Sequence, residues 1–439
     1  GVVKNGKILF SGGFGVKNIN SKEPVNESTI FHMASVSKPY VATAIMQLVE
    51  AGKVELDKPV ITYLPYFRLD ELRYKEITVD QMLTHTSGMP DVMDYEWGQD
   101  EKATGALTRY TRSLKNEKLI AAPGEKWQYS NMAFEVLGNL VEQVSGLRFD
   151  EYMRKNILDP LKMKQSSFLI DEKYKSLYAD PHIRNLTIQA SEIYPYNPKH
   201  APSSTLHSNA VDMCRWAIAN LNRGQYENSR ILKVASYNLL WQAHSTASDD
   251  ISIGLSWFMS KKNERVRIHH GGGDLGFSTY LCLEPKTMSA VVVLTNHDYS
   301  PVEAINDGIW AMLDGQEPAL PKTPILIVLS KVLVGNNVEA AIENYNDLRK
   351  NSPEDYNFSE VQLNILGYNL LASERVREAI EIFKLNVQVF PLSSNTYDSL
   401  GEAYMAADEK NAAIVNFEKS IELNPDNENG KRMLEKLKK

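Results

Sequence analysis

Apolar positions change their spacing along the chain. Val2 and Val3, a turn at Asn5-Gly6, and then Ile8, Leu9 and Phe10 read as a β-hairpin. The continuous apolar runs 280–283 and 290–294 read as buried strands, while 133–144 and 210–221 carry apolar residues at helical spacing. Strands at both ends with helices between them predict one antiparallel sheet built from both termini and a helical insert forming a second lobe. A site is then expected in the cleft between the lobes. A domain rarely opens on a mid-sheet hairpin, so further sequence upstream, a leader peptide and an edge element, is expected.

The grammar changes near 315–323, where Gly315, Pro318, Pro321 and Pro324 interrupt the periodic pattern. This predicts a first domain over 1–315, a linker over 316–323 and a helical domain over 324–439. The helices of the last part repeat. Leu366-Gly367 recurs as Leu400-Gly401, Ala379 as Ala413, Phe383 as Phe417 and Pro391 as Pro425, all at an offset of 34, the period of a tetratricopeptide helix pair. A more degenerate unit precedes them, with Ala341-Ile342 and Pro353 matching Ala379-Ile380 and Pro391. The expectation is a short α-helical tetratricopeptide solenoid, capped by a helix over 431–439. It serves either as a stabilising extension or as a groove for a protein or peptide partner.

The 439 residues suit two or three domains. The net charge is −7, and 336–439 carries 12 basic against 18 acidic residues, so the acidity belongs to the tail. No basic footprint exists of the kind that nucleic acid or an anionic membrane demands. No run of about 18 apolar residues occurs, so no transmembrane segment is predicted. Cys214 and Cys282 are too few for a disulfide framework and form no C-x-x-C pair.

Candidate chemistry begins at Ser35-Val36-Ser37-Lys38, the only S-x-x-K in the chain, which opens an apolar helical stretch over 41–49. One helical turn brings Lys38 back to Ser35, where its amine can accept the hydroxyl proton. Pro39 suits the first turn. Tyr129-Ser130-Asn131 follows Pro123-Gly124 and precedes a helix, offering a phenol to shuttle protons and an amide to fix a carbonyl. A second Y-x-N at Tyr226, Glu227 and Asn228 lacks that setting and reads as a turn. His270-Gly271-Gly272-Gly273 lies beside a strand, where glycines admit a close backbone or ligand and a backbone N–H can pair with that of Ser35 as an oxyanion hole. No G-K-[ST] follows, which disfavours a phosphate loop.

Ser35-x-x-Lys38, Tyr129-x-Asn131 and His270-x-Gly272 stand in the order of the S-x-x-K, Y-x-N and [KHW]-x-G motifs. Over about 1–315 the chain resembles the serine β-lactamase-like superfamily: class C β-lactamases, low-molecular-weight penicillin-binding proteins, D-aminopeptidases and family VIII esterases. Gln81-Met82-Leu83-Thr84-His85-Thr86-Ser87-Gly88-Met89-Pro90, Pro160-Leu161-Lys162-Met163 and the run 291–296 agree with it. The resemblance implies an α+β fold, a β-lactamase/transpeptidase-like antiparallel sheet sandwiched by helices plus an all-α lobe. It implies acylation of Ser35 with Lys38 and Tyr129 relaying the proton, an oxyanion held by the N–H groups of Ser35 and Gly273, and hydrolysis of the acyl-enzyme by water. By the same resemblance Asn131 holds a substrate amide or the lysine, and Asn296 matches a position that helps bind a substrate carboxylate. No metal or other cofactor is required. A periplasmic or secreted location follows by analogy.

One departure decides the substrate expectation. β-Lactamases and penicillin-binding proteins usually carry lysine in the third motif, whereas His270 is mostly neutral near pH 7 at an ordinary pKa of about 6.5. A short peptide, D-amino-acid amide or small ester is therefore favoured over a β-lactam. The alternatives are a class C-type β-lactamase or D,D-peptidase, and a non-catalytic peptide or peptidoglycan sensor whose tail recruits a partner. His32 and His85 read as structural; Asp274 reads as a contact for substrate amines or as a loop cap.

Overall fold

The computed structural model describes residues 1–99, 101–262 and 265–438. Two compact units emerge: Gly1–His182 with Ala190–Ala319, and Ile183–Gln189 with Leu320–Lys439. The division lies inside the expected linker. The inclusion of 183–189 in the second unit carries no signal in the sequence.

The first unit is built on an eight-stranded antiparallel sheet. Its strands are β1 (Val2–Lys4), β2 (Lys7–Phe10), β3 (Ser245–Ser248), β4 (Ile251–Ile253), β5 (Phe258–Lys262), β6 (Arg265–Asp274), β7 (Phe277–Glu284) and β8 (Ser289–Thr295). Their order is β2-β1-β8-β7-β6-β5-β4-β3, so the N-terminal hairpin joins the C-terminal strands as expected. The period-2 alternation of β7 and β8 feeds two cores. Leu281, Leu283, Ala290 and Val292 face the main core, which also contains α1 (Lys38–Glu50), α2 (Asn131–Ser145) and α3 (Ala210–Leu221). Tyr280, Cys282, Val291 and Val293 face the opposite way, onto Trp310 of α4 (Val302–Leu313). Helices thus cover both faces of the sheet, and α2 belongs to the helical lobe inserted between its strands.

Two elements differ from the sequence expectation. Strands β3 to β5 were not foreseen, because Ser245, Thr246, Ser248, Ser260 and Lys261 break the apolar alternation near one edge of the sheet. The glycines 271–273 lie within a strand, β6, and not merely beside one, and the chain reverses at Gly276, with φ +73°. Glu227 and Asn228 form a turn between two short paired strands, Gln225–Tyr226 and Ser229–Arg230, the first of which takes in Tyr226.

Seven helices fill 325–438 in the second unit, ending with Glu428–Lys438; Lys439 lies outside the described residues. The 34-residue repeat has a physical cause. A methyl group on Gly367 would come within 2.4 Å of the Phe383 ring, and one on Gly401 within 2.9 Å of Phe417, so each small residue lets its helix close on the next. Among the described residues no helix is long and apolar enough to cross a membrane.

Candidate active site

The site is assembled where the start of α1 meets β6. Ser35 lies in a 3-10 turn, Ala34–Ser37, that runs directly into α1, with Pro39 in the first turn of the helix. Ala34 holds φ +48°, a left-handed conformation that costs an L-residue roughly 1–2 kcal/mol. Neighbouring contacts hold it there: Met33 donates its N–H to Leu206 O, Thr279 Oγ1 donates to Met33 O, and Leu206 N–H donates to Ser37 Oγ. The result is a half-buried Ser35 over a fully buried Lys38.

Lys38 Nζ donates to Ser35 Oγ at 2.9 Å and to the Ser203 carbonyl at 2.9 Å. Burial pushes the Lys38 amine down to about 8, against the opposing pull of Glu135, Asp274 and Asp91. A useful fraction of it is therefore unprotonated near neutral pH. The Tyr129 ring lies 5.0 Å from Lys38 Nζ, and its phenol is hydrogen-bonded to Ser35. Burial raises the Tyr129 phenol above its ordinary value, with the Ser35 hydrogen bond opposing the rise, so it remains a proton donor. Of the two groups beside Ser35, the amine is the one able to accept a proton and the phenol the one able to donate one.

The third motif is brought beside Ser35 by packing. A Cβ on Gly272 would meet Met33 O and Thr279 Oγ1 at 2.5 Å and Ala34 Cβ at 3.1 Å, so only glycine lets β6 lie this close to the Ser35 turn. Gly273 follows, exposed, with open space around its Cβ position. His270 is buried, its Nδ1–H donating to Gly271 O at 2.7 Å. Burial, aided by Lys38, pushes its imidazole down to about 3, so it carries no positive charge at neutral pH.

The two asparagines both have partners within the chain. Asn131 does not hold Lys38: its Nδ2 donates to both Asp91 oxygens, at 2.9 and 3.2 Å, and its backbone N–H donates to Asp91 Oδ1 at 2.7 Å. The Ser203 carbonyl takes the place at the lysine. Asn296 donates Nδ2 to the carbonyls of Lys17 (2.8 Å) and Asp180 (3.1 Å), which commits both amide hydrogens to the backbone and leaves none for a substrate carboxylate.

Three further residues that the sequence singles out, His85, His32 and Asp274, lie in the framework of the site. His85, at φ +56°, stacks on Tyr129 with ring centroids 4.2 Å apart, and accepts the Ser130 N–H at Nδ1. Burial, with Lys38 and His270 nearby, lowers its basicity, and the Ser130 N–H occupies its Nδ1, so it is a shelf for the phenol and a poor second base. His32 Nε2 donates to Asp274 Oδ2 at 2.7 Å, and the Ser204 hydroxyl donates to the same oxygen, so Asp274 is tied to the site's own framework. Among the described residues no cluster of three or more His, Cys, Asp or Glu side chains is arranged to hold a metal ion.

A sheet sandwiched by helices, with a Ser-x-x-Lys turn, a Tyr-x-Asn loop and a His-x-Gly strand, defines the serine β-lactamase-like superfamily, whose members are generally serine hydrolases. The family model described as Beta-lactamase matches residues 1–315, well over half of the chain, and the chain belongs to that family. Curated relatives include Protein flp of Staphylococcus aureus, 28% identical over 321 residues, covering 70% of this chain and 62% of the relative. The chain thus spans about three fifths of that protein's length. Penicillin-binding protein 4* of Bacillus subtilis is 25% identical, with 73% of each chain covered. Among solved structures, an octameric penicillin-binding protein homologue from Pyrococcus abyssi matches with a TM-score of 0.61 and 25% identity over 76% of each chain. A penicillin binding protein from Bacillus halodurans has the same fold at a TM-score of 0.59 and 24% identity, over 72% of this chain and 94% of that one.

Proposed function

We propose that the chain is a serine hydrolase that cleaves a small ester or an amide, such as a short peptide or D-amino-acid amide, through an acyl-enzyme on Ser35. Neutral Lys38 takes the Ser35 proton as Oγ attacks the carbonyl carbon. The N–H groups of Ser35 and Gly273 hold the oxyanion of the tetrahedral intermediate. As it collapses, the leaving group takes a proton from the Tyr129 phenol, which Lys38 restores. A water then attacks the acyl-enzyme, giving up its proton to the amine, and as the second tetrahedral intermediate collapses the amine passes that proton to the departing Ser35 Oγ, releasing the acid and regenerating Ser35 and neutral Lys38.

The observation that carries the substrate class is the uncharged His270. The charged groups acting on Lys38 are Glu135, Asp274 and Asp91, all carboxylates. A substrate anchored by its own carboxylate would meet repulsion from these groups and find no matching cation in His270. A second reading, a penicillin-binding D,D-peptidase or β-lactamase, is favoured by the names of the relatives alone.

Steady-state kinetics on p-nitrophenyl acetate, D-alanine p-nitroanilide and a chromogenic cephalosporin separate the two. The expected result is a kcat/KM for the ester or the anilide at least about a hundredfold above that for the cephalosporin, a difference of roughly 2.7 kcal/mol in transition-state binding. The reverse order replaces this reading with the second. No turnover of any of the three brings forward a non-catalytic sensor.

A further inference from the structure

Lys38 is anchored from below by one main-chain oxygen, that of Ser203. A main-chain carbonyl is only as well placed as the segment that carries it, and here one side chain fixes that segment. Glu135 lies four residues beyond Asn131 on α2, so it shares a helix face with the Tyr-x-Asn motif. It is fully buried. Ser203 donates its hydroxyl to Glu135 Oε1 at 2.5 Å and its N–H to Oε2 at 3.3 Å, and His200 Nδ1–H donates to Oε1 at 3.0 Å. Three donors from 200–203 converge on one carboxylate, and the carbonyl bound to Lys38 is that of Ser203 itself.

We propose that Glu135 is a positioning residue for the Ser35-Lys38 pair: its carboxylate fixes the segment whose Ser203 carbonyl anchors the amine, and its negative charge acts on that amine. The proposal rests on the reading of Ser35 as nucleophile and Lys38 as base. Burying an ionised carboxylate is costly unless it is well hydrogen-bonded, and no step of the hydrolysis touches this one. What it does is hold and bias the lysine.

The groups around Lys38 come from every neighbouring element: Glu135 from α2, Asp274 from β6, Asp91 and His85 from the loops before α2, Tyr129 just ahead of it, and His270 from β6. Burial of the two histidines keeps them neutral, and the phenol stays protonated. Asp91 is bound to Asn131, and Asp274 to His32 and Ser204. Glu135 alone among the three carboxylates is bonded to the residue whose carbonyl holds the amine. Its charge opposes the effect of burial, keeping Lys38 from losing its proton at still lower pH.

The test is the pH dependence of kcat/KM for p-nitrophenyl acetate in wild type, Glu135→Gln and Ser203→Ala, with folding followed by circular dichroism. Activity rises with pH as Lys38 becomes neutral. Removing the negative charge in Glu135→Gln moves that rise to lower pH by roughly one unit and lowers the plateau about tenfold, since the carbonyl is less well aimed. Ser203→Ala keeps the main-chain carbonyl but removes a donor that screens the carboxylate, so its rise moves the other way, by a fraction of a unit. A residue that merely stabilised the fold would lower activity without moving either curve. Curves that overlay the wild type, or that both move in the same direction, overturn the proposal. If Glu135→Gln does not fold, Ser203→Ala decides alone: an upward displacement supports the proposal, and an unchanged or downward one overturns it. If wild-type turnover survives Ser35→Ala, the nucleophile assignment falls and this proposal falls with it.

Discussion

Lys38→Met lowers kcat/KM for an ester by at least about a thousandfold and leaves the melting temperature unchanged or raised. Loss of the base leaves Ser35 an ordinary hydroxyl, and removing one member of a nucleophile-base unit typically costs three or more orders of magnitude. The fold responds differently because Lys38 is wholly buried, and a methionine of similar volume removes the penalty of keeping an amine out of water. In the proposed mechanism, the active form of the wild type is the deprotonated amine. With its pKa at about 8, kcat/KM climbs about tenfold per pH unit from pH 6 and levels off above about 8. Lys38→Arg, which keeps a cation that cannot deprotonate, has no such climb and shares the loss. A rate that is flat from pH 6 to 9 would remove Lys38 from the role of base.

Gly272→Ala lowers turnover by about a hundredfold without unfolding the chain. The added methyl meets the Met33 carbonyl and Thr279 Oγ1 at 2.5 Å, and the Met33 oxygen is main chain, so the Ser35 turn and β6 must move apart. Displacing a nucleophile from its oxyanion donors by a fraction of an ångström to an ångström costs on this scale. Gly273→Ala is the control, because its Cβ enters open space, and its loss is smaller. Equal losses in the two variants would show that glycine is needed there for reasons other than this contact.

What the sequence could show depended on distance along the chain. Ser35 and Lys38 are three residues apart, so helical geometry alone placed the amine at the hydroxyl. The runs 280–283 and 290–294 carry enough apolar residues to be read as strands, whereas β3 to β5 hold too many serines, threonines and lysines. The partners of the asparagines were hidden because they come from remote segments: Asp91 lies 40 residues before Asn131, and Lys17 lies 279 before Asn296. Spacing cannot say which of two candidate partners a side chain will meet. The Ser203 carbonyl had no signal at all, since every residue has one, and Glu135 looked like any acid on an amphipathic helix. His270 stands between these extremes. Its position was legible, but its loss of charge follows from burial, which only the packed structure supplies.

The most direct measurement is intact-mass spectrometry with peptide mapping after brief incubation with p-nitrophenyl acetate or a fluorophosphonate, on wild type and Ser35→Ala. One adduct per chain, mapped to Ser35 and absent from Ser35→Ala together with ester turnover, is the expected result. An adduct on another residue, or undiminished turnover in Ser35→Ala, would contradict the assignment of Ser35 as the nucleophile.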